Sequence, residues 1–390
     1  MKALPRTVVV LGVVSLLNDA ASEMVTPLLP IFLTAALGAG PAIVGLVEGL
    51  AEATASILKL ISGRLADRGV PAKSLVVGGY TLSNAARPLI ALAAGWAAVL
   101  VLRFVDRVGK GIRTAPRDAL IATAAGTEQR GRAFGFHRSM DHAGSVIGPL
   151  LAFGLLSAQA DLKHVFVASA VPGALVILLL VLGVPGAPAP LATPSAPFSW
   201  SALHARLKAM IAAAGLLALA SVPEVFVVLW AQQAGLAVVW IPLVWAAASV
   251  VKMLIAMPAG ILSDRVGRVP LLLGGWALRV VVLMLLATSN PGGVGVWALF
   301  VAYSATLAIT EPAERSVIGD HAAAEERGTA FGLYHLASGL LVLPGALLFG
   351  LIWERYGSDA AFLASAAVTA AAAVLMLWLA AGDEPKQGRA

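Results

Sequence analysis

The side chains most capable of chemistry in this sequence are concentrated in one short stretch, RFVDRVGKGIRTAPRD, which runs from Arg103 to Asp118. It holds five Lys and Arg residues and two Asp residues, whereas its neighbours are mostly Ala, Leu, Val and Gly. If the stretch is a helix turning about 100° per residue, all of these charges fall on one face. Such a stripe would pair with buried acids or bind an acidic ligand, and we expect Arg103, Arg107 and Lys110 to line a substrate cavity. We also expect Pro116 to bend or end the helix.

Two soluble functions that such a stretch could serve are not supported by its surroundings. A phosphate loop would need the pattern G-x-x-x-x-G-K-[ST] between a strand and a helix, and GKGIRT lacks it. Nucleic-acid binding would need a solvent-exposed surface with aromatic residues between the basic ones. The chain has no cysteine, and its six His residues do not follow a metal-ligand spacing, so we expect no metal site and no cofactor.

Acidic residues occur within several apolar segments, where a carboxyl group shielded from water can bind and release a proton near neutral pH. Asp141 follows Arg138 by three residues, so these two side chains can pair on one helix face. We expect proton-coupling roles for Asp19, Glu23, Glu52, His137 and Asp141. We expect the substrate cavity to include, besides the three bases named above, Asn18, Arg138, Glu224 and Glu311.

The apolar segments contain nine Lys and Arg residues and eight Asp and Glu residues, which is close to a balance. Each charge costs roughly 2.5–3.5 kcal/mol at the centre of a bilayer unless it is paired or hydrated, so the balance favours ion pairs. Lys252, for example, is expected to pair with Glu224 or Glu311. Seven of the bases and six of the acids lie in the first half of the chain. We therefore expect the first half to be the polar, coupling part and the second half to supply a more apolar wall.

The composition places all of these residues in a membrane protein. Of the 390 residues, 59% are hydrophobic and 12% are charged, and the mean hydropathy is +0.89, whereas soluble domains average about 25% charged residues. Apolar runs long enough to cross a bilayer recur along the whole sequence. We predict an all-α fold with twelve transmembrane spans at 7–35, 41–62, 74–94, 97–118, 133–157, 164–184, 209–232, 238–260, 270–289, 293–315, 328–352 and 358–381.

A proline-rich stretch divides these spans into two groups of six. Residues 185–206 include PGAPAPLATPSAPFSW, which is too dense in proline for a helix and is predicted to be a cytoplasmic linker. The predicted domains are therefore residues 1–184 and 207–390, on either side of the linker. Sixteen Lys and Arg residues fall in one set of loops and two in the opposite set, which predicts that both termini lie in the cytoplasm. We expect the protein in the cytoplasmic (inner) membrane.

The two halves also repeat one another. QRGRAFGFH, from Gln129, matches ERGTAFGLY, from Glu326, and the two begin 197 residues apart. GRLADR, from Gly63, and GILSDRVGR, from Gly260, show the same offset. A repeat of six spans in the same direction is typical of a transporter with its site at the midplane between two bundles.

The second pair of sequences resembles the loop motif G-x-x-x-D-R-x-G-R of the major facilitator superfamily, and its copies lie between spans 2 and 3 and between spans 8 and 9. The first copy departs from the motif, since Gly69 comes one place early and residues 70–73 replace its end. The resemblance covers the whole chain and implies two pseudo-symmetric six-helix bundles that rock to expose a central site to each side in turn. It also implies a gating role for Gly63, Asp67, Arg68, Gly260, Asp264, Arg265 and Arg268.

A further motif resembles one branch of that family. Gly144, Gly148 and Pro149 are similar to the G-x-x-x-G-P motif of its proton-coupled antiporters, although Ala152 and Phe153 stand where that motif has a glycine pair. The alternative is that the two glycines only let neighbouring spans pack closely. The resemblance implies a prokaryotic efflux transporter with twelve spans, and not an enzyme.

Three functions remain open from the sequence. The first is proton-coupled export of a small drug or metabolite by alternating access. The second is import or uniport of an anionic metabolite or a metal chelate, which the basic stripe favours and the balance of charges disfavours. The third is a membrane sensor that transports nothing. We expect a monomer whose partners are a small-molecule substrate, protons and the lipid bilayer, and not nucleic acid.

Overall fold

A computed structural model describes residues 3–67, 70–185, 205–321 and 327–381, and these residues are almost entirely helical. The helices form twelve spans in chain order, which confirms the predicted number. Their bounds are Arg6–Val25, Leu29–Ile31 and Phe32–Ala36 (span 1), Pro41–Asp67 (span 2), Ala72–Leu89 and Ile90–Leu92 (span 3), Trp96–Ser157 (spans 4 and 5), Leu162–Ala168 and Ala170–Gly183 (span 6), Ala205–Ala220 and Glu224–Gln233 (span 7), Val238–Trp240 and Ile241–Val266 (span 8), Arg268–Thr288 (span 9), Gly293–His321 (span 10), Arg327–Tyr356 (span 11) and Ser358–Ala381 (span 12). Most of the predicted linker, residues 186–204, lies outside the described residues.

Three of the spans are less apolar than the others. Nine segments of the described chain are both long and apolar enough to cross a membrane, and spans 3, 4 and 5 are the remaining three. The charged side chains of spans 3 and 4 include Arg87, Arg103 and Asp106, each of which is at most 3% exposed. These spans can therefore cross the bilayer without presenting those charges to lipid.

The break between spans 4 and 5 lies at Gly126, inside the interval 119–132 that the predicted spans left between them. Its φ of 63° and ψ of −171° are not helical, and a glycine suits this position because it has no Cβ to clash at positive φ. Pro116 was expected to bend or end the helix, and it does not end it, since it lies within a continuous helical run. Span 4 is consequently longer than predicted at the end that leads to Gly126.

The two bundles repeat one another in how their spans pack. In the first bundle, a Cβ added to Gly148 of span 5 would lie 2.4 Å from the carbonyl oxygen of Ala20 in span 1. In the second bundle, a Cβ on Gly345 of span 11 would lie 2.4 Å from the carbonyl oxygen of Leu219 in span 7. Gly148 and Gly345 are 197 residues apart, which is the offset of the sequence repeat. Both bundles are therefore built around the same close helix contact, which only a small residue allows.

The apolar cores of the bundles are joined on one side of the membrane and separate on the other. We term the side that carries the start of span 1 and the end of span 12 the terminal side, and the opposite one the far side. The largest apolar cluster draws on all twelve spans toward the far side, including Phe32, Phe226 and Phe349. Two smaller clusters lie toward the terminal side, one around Tyr80 in the first bundle and one around Trp276 in the second. The bundles therefore meet at the far side and part toward the terminal side.

Spans 2 and 11 make a particularly close contact between the bundles. A Cβ on Gly45 would lie 2.2 Å from the backbone of span 11, and one on Gly350 would lie 2.4 Å from the carbonyl oxygen of Pro41. Beside them, the backbone N–H of Ala42 donates a 3.2 Å hydrogen bond to Oε2 of Glu354. Ala42 is in the first turn of span 2, where the helix dipole favours a carboxylate. These contacts close the far side between the two bundles.

A valine at Gly148 is expected to push span 5 away from span 1, because its side chain would overlap the backbone of Ala20. Overpacking of this kind costs about 1–3 kcal/mol, so Gly148→Val should lower the Tm of the protein purified in detergent. Gly154 lies on the same span, and a Cβ there would have no atom within 4 Å. Gly154→Val is therefore the matched control, and equal melting temperatures of the two variants would contradict the close contact.

Candidate functional site: a central cavity between the bundles

A cavity of about 540 Å³ lies between the two bundles, next to the joined core. Its volume is within the usual range for a small-molecule site. Spans 1, 5, 7, 8 and 10 line it. The polar lining consists of Asp19, Glu23, Arg138, Asp141, His142, Ser145, Glu224, Trp245, Ser249, Lys252 and Glu311.

The lining of this central cavity is acidic. Five carboxylates stand against two basic side chains, Arg138 and Lys252. The second bundle supplies Glu224, Lys252 and Glu311, but it also supplies all the apolar lining residues, namely Ala256, Leu307, Ala308 and Pro312, so its wall is the more apolar of the two, as expected. A cavity with this excess of negative charge favours cations or bound protons over anions.

Lys252 and Glu224 form the ion pair that the sequence predicted for the second bundle. The Nζ of Lys252 lies 2.8 Å from Oε2 and 3.1 Å from Oε1 of Glu224. The hydroxyl of Ser304 in span 10 donates a 2.6 Å hydrogen bond to Oε1 of the same carboxylate. This carboxylate thus has its charge and both of its oxygens satisfied within the second bundle.

A break in span 7 positions Glu224. Helical structure ends at Ala220 and resumes at Glu224, directly after Pro223, as the Pro-Glu pair suggested. The interruption frees the carbonyl of Val222 from helical hydrogen bonding, and the buried hydroxyl of Tyr303 donates a 2.5 Å hydrogen bond to it. Irregular backbone at membrane depth is tolerated where protein groups satisfy it beside a cavity.

A hydrogen bond joins the two bundles across the cavity. The indole N–H of Trp245 in span 8 donates a 2.8 Å hydrogen bond to Oε2 of Glu23 in span 1. The Nζ of Lys252 lies 5.8 Å from the ring centroid of Trp245, which is within cation–π range. Trp245 therefore connects an acid of the first bundle to the ion pair of the second. Sequence reasoning missed Trp245, because a tryptophan in an apolar span is equally typical of core packing.

Asp141 gathers three partners on the first-bundle side of the cavity. One carboxylate oxygen accepts a hydrogen bond from the hydroxyl of Ser15 in span 1. The other lies 3.5 Å from Nδ1 of His137 and 3.9 Å from Nη1 of Arg138. The predicted pair of Asp141 and Arg138 is thus present. The side chain of Arg138 is 59% exposed, so water weakens the attraction between the two charges. His137 is buried behind Asp141 and does not line the cavity.

Asp19 reaches into a polar network inside the first bundle. It accepts a 3.0 Å hydrogen bond from the side-chain amide of Asn18, whose oxygen accepts a 3.1 Å hydrogen bond from Arg87 of span 3. Arg87 in turn lies 3.0 Å from Asp106 of span 4. Asn18 therefore faces the interior of the bundle and not the cavity, contrary to the expectation. Among the described residues, no basic side chain lies within ion-pair distance of Asp19 or Glu23.

The basic stripe of span 4 lies inside the first bundle. Arg103 makes a paired contact with the carboxylate of Glu48 in span 2, at 3.1 and 3.0 Å. Arg103 and Arg107 lie 3.5 and 3.6 Å from Asp106. The structure therefore places Arg103, Arg107 and Lys110 outside the lining of the cavity, contrary to the expectation. The helical projection identified the charged face correctly, and the predicted pairing with a buried acid is confirmed for Arg103 and Glu48.

Glu52 and Lys110 extend this network one turn toward the terminal side. Their side chains carry opposite charges and attract each other. Neither lines the central cavity. The proton-coupling role expected of Glu52 stays a prediction.

The antiporter-like motif lies where span 5 crosses span 1. A Cβ on Gly144 would lie 2.4 Å from the carbonyl oxygen of Leu16 and 2.9 Å from the Cβ of Asp19. Gly148 makes its own close contact one turn further along, and Pro149 follows within the helix. The glycines thus allow spans 1 and 5 to pack closely. They bring span 5 into contact with Asp19, which lines the cavity and which we expect to carry a proton.

The second copy of the loop motif connects spans 8 and 9. Oδ1 of Asp264 lies 3.7 Å from Nη2 of Arg268, and Arg265 lies in the last turn of span 8. Gly267 has a φ of 93°, a conformation that favours glycine, and it separates the two helices. Gly260 lies one turn before Asp264 within span 8.

The first copy of the motif ends span 2. Gly63 lies within the helix Pro41–Asp67, of which Asp67 is the last residue. Arg68 lies outside the described residues. The gating role of both copies therefore stays a prediction.

The sequence matches the profile of the family described as Major Facilitator Superfamily over residues 11–256 and 241–390. An uncharacterized MFS-type transporter of Methanocaldococcus jannaschii is 30% identical over 389 residues, which cover 97% of this chain and 96% of that protein. A mutant of the nucleoside transporter NupG has a similar structure, with a TM-score of 0.82 at 13% identity over 96% of this chain and 99% of that one.

A bacterial homologue of the human lysosomal transporter Spinster, in an inward-facing and occupied conformation, gives a TM-score of 0.81 at 16% identity over 96% of each chain. These two solved structures share the fold with this protein. The profile match and the full-length relative show the family as well. The chain therefore belongs to the major facilitator superfamily, and it is a secondary transporter and not an enzyme.

Proposed function

We propose that this transporter exports a small organic solute carrying a positively charged amine, in exchange for protons. The acidic lining of the central cavity carries this proposal. Asp19 and Glu23 lie in that lining without a basic partner among the described residues. A buried carboxylate needs a partner of opposite charge or a proton, and the ammonium group of a solute would supply the first.

In this mechanism solute and protons compete for the same carboxylates. When the cavity faces the terminal side, Asp19, Glu23 and Asp141 release protons and bind the amine. When it faces the far side, protons bind these carboxylates and displace the amine. Competition at shared groups couples the two movements, because each ligand favours the state that binds it more tightly.

The direction of transport follows from the orientation that the loop charges predict. We propose that the terminal side faces the cytoplasm across the inner membrane, since sixteen Lys and Arg residues fall in loops on that side and two on the other. The bundles part toward that side, so the cavity would load from the cytoplasm. The likeness of Gly144, Gly148 and Pro149 to the antiporter motif supports the same direction. Each chain surrounds its own cavity, so a monomer suffices.

Import of an anionic metabolite or a metal chelate is less well supported. The sequence favoured it through the basic stripe of span 4. In the structure Arg103 is paired with Glu48, and Arg103 and Arg107 both adjoin Asp106, away from the cavity. Those charges lie outside the lining of the central cavity and next to carboxylates of the first bundle, so they offer no site to an anion in the cavity.

Primary amines are expected to bind the purified transporter better than carboxylates of the same skeleton, because the lining of the cavity contains five carboxylates and only two basic side chains. Tyramine and hydroxyphenylpropionate form one such pair, since they share a hydroxyphenyl group and differ in the charged end. A ligand that binds only the folded protein raises its melting temperature, so thermal shift across a panel of such pairs measures the preference. Stabilisation by the carboxylates and not by the amines would favour anion transport instead.

Asp19→Asn and Glu23→Gln are expected to uncouple transport from the proton gradient, because an amide cannot carry a proton. In proteoliposomes, flux of labelled tyramine driven by an imposed pH gradient should fall about tenfold or more, which is within the range of typical coupling energies. Exchange of labelled for unlabelled tyramine at equal pH should continue in each single variant, although at a lower affinity, because the remaining carboxylates of the lining still bind the amine. Asp161→Asn, at a side chain that is 85% exposed, is the control. Gradient-driven flux at the parent rate in Asp19→Asn, Glu23→Gln and Asp141→Asn alike would refute proton coupling.

Trp245→Phe is expected to loosen the far-side closure, because it removes the hydrogen bond to Glu23 and keeps the ring. The chain has no cysteine, so Ser249→Cys adds a single thiol to the lining of the cavity. A hydrogen bond to a charged group contributes about 1.5–3 kcal/mol, so labelling by an impermeant maleimide from the far side should rise about tenfold. Trp378→Phe, at a residue that is 72% exposed, is the control. Unchanged far-side labelling would show that this bond does not hold the bundles together.

A further inference from the structure

A second cavity, of about 260 Å³, lies within the second bundle beside the central one. Spans 7, 9, 10 and 11 surround it, and we term it the side chamber. It shares Leu307 and Glu311 of span 10 with the lining of the central cavity, so the two adjoin at these residues. Leu217, Ala218 and Val342 supply part of its apolar wall. A solute in the central cavity could therefore extend one end into the side chamber.

Arg279 of span 9 brings a buried positive charge to the side chamber. It is 3% exposed. Its Nη2 donates hydrogen bonds to neutral acceptors only, namely Oγ1 of Thr310 at 2.8 Å and the carbonyl of Thr306 at 3.4 Å. Its Nε has no hydrogen-bond partner, and no carboxylate of the described chain lies within ion-pair distance of it. A buried guanidinium without an acid within ion-pair distance is costly, so this position favours a further acceptor.

The second bundle offers Arg279 no acid of the kind that the first bundle contains. In the first bundle, Asp106 lies within ion-pair distance of Arg87 and Arg103. The residue 197 places after Asp106 is Tyr303, a neutral residue whose hydroxyl bonds to the carbonyl of Val222. Arg279 itself follows Leu82 by the same offset, so this arginine is particular to the second bundle. An external carboxylate would supply the acid that Arg279 lacks.

We propose that the side chamber binds the carboxylate of the transported amine, so that the substrates are amino-acid-like zwitterions. A carboxylate is the planar acceptor that a guanidinium binds through two parallel hydrogen bonds. The ammonium group then lies in the acidic central cavity, next to the shared wall at Glu311. Glu311 and Glu314 also line the side chamber, and their charges disfavour a ligand that is an anion overall. This inference rests on the proposed export of amines and narrows its substrate class.

The test compares amino acids with the amines that remain when their carboxylate is removed. Tyrosine with tyramine, and arginine with agmatine, are pairs that differ in this group alone. The purified parent protein should bind the amino acid of a pair about tenfold more tightly than the amine, as a charge-assisted hydrogen bond predicts. In the Arg279→Gln variant the affinities for the amino acid and the amine should differ by no more than about twofold, because binding of the amino acid weakens and binding of the amine does not change. Arg279→Lys should retain part of the preference, because it keeps the charge but not the fork of donors.

Two further variants keep the test decisive. Arg355→Gln, at an exposed residue near the far-side end of span 11, is the control and should bind both members as the parent does. Ser338→Asp places a carboxylate in the lining of the side chamber and should abolish the preference even if Arg279→Gln fails to fold. Equal affinities for both members in the parent, or a preference that survives both substitutions, overturns the inference. Proton-coupled export of amines without any such preference would overturn it and leave the proposed function intact, whereas failure of every amine to bind would overturn both.

Discussion

A charged side chain within a bilayer needs a partner of opposite sign or water, and this requirement shapes both bundles of the transporter. The first bundle meets it internally. Arg87, Arg103 and Arg107 surround Asp106, and Glu48 takes the other side of Arg103. Loss of one member of such a buried pair costs about 3–5 kcal/mol, so the network fixes spans 2, 3 and 4 to one another. This bundle is polar inside for structural reasons, and its basic stripe does not define the substrate.

The second bundle meets the same requirement at the wall of the cavity. Lys252 and Glu224 neutralise each other there, and Trp245 lies between this pair and Glu23 of the first bundle. After pairing within each bundle, a few charged side chains of the described chain have no partner of opposite sign, and several of them line the two cavities. Among the described residues, Asp19 and Glu23 remain in the central cavity, and Arg279 remains in the side chamber. Arg113 of span 4 also has no described acid within ion-pair distance, but its guanidinium lies 4.2 Å from the ring centroid of Tyr80 and donates a 2.9 Å hydrogen bond to Ser83. A charge that lines a cavity without such a partner is the position where a mobile ligand is most strongly required.

Much of this arrangement could be predicted from the sequence, because the rules that govern it are local. Hydropathy predicted the number of spans, and the offset of 197 residues predicted the repeat of the bundles. The spacing of Arg138 and Asp141 predicted a pair along one helix, and the balance of charges predicted a partner for Lys252. Each of these follows from composition or from neighbours within one or two turns.

The remaining features depend on which helices become neighbours, and no spacing along one chain segment encodes that. The stripe on span 4 could equally have faced the cavity, and only its contact with Glu48, 55 residues earlier in the chain, decides the matter. Trp245 was missed because its partner Glu23 lies 222 residues away. Span 4 continues through Pro116 and is interrupted at Gly126. Local helix propensity does not predict which of these two residues interrupts the helix.

The joined core and the link between Trp245 and Glu23 suggest how a proton could act on the whole molecule. Movement toward the far-side-open state must separate the bundles where they now meet. Spans 2 and 11 approach each other there with backbone close to backbone at Gly45 and Gly350. The hydrogen bond from Trp245 is stronger to a carboxylate than to a neutral carboxyl group, because charge-assisted bonds are roughly twice as strong. In the proposed mechanism, protonation of Glu23 therefore weakens the same contact that holds the far side closed, so that proton binding and opening favour each other.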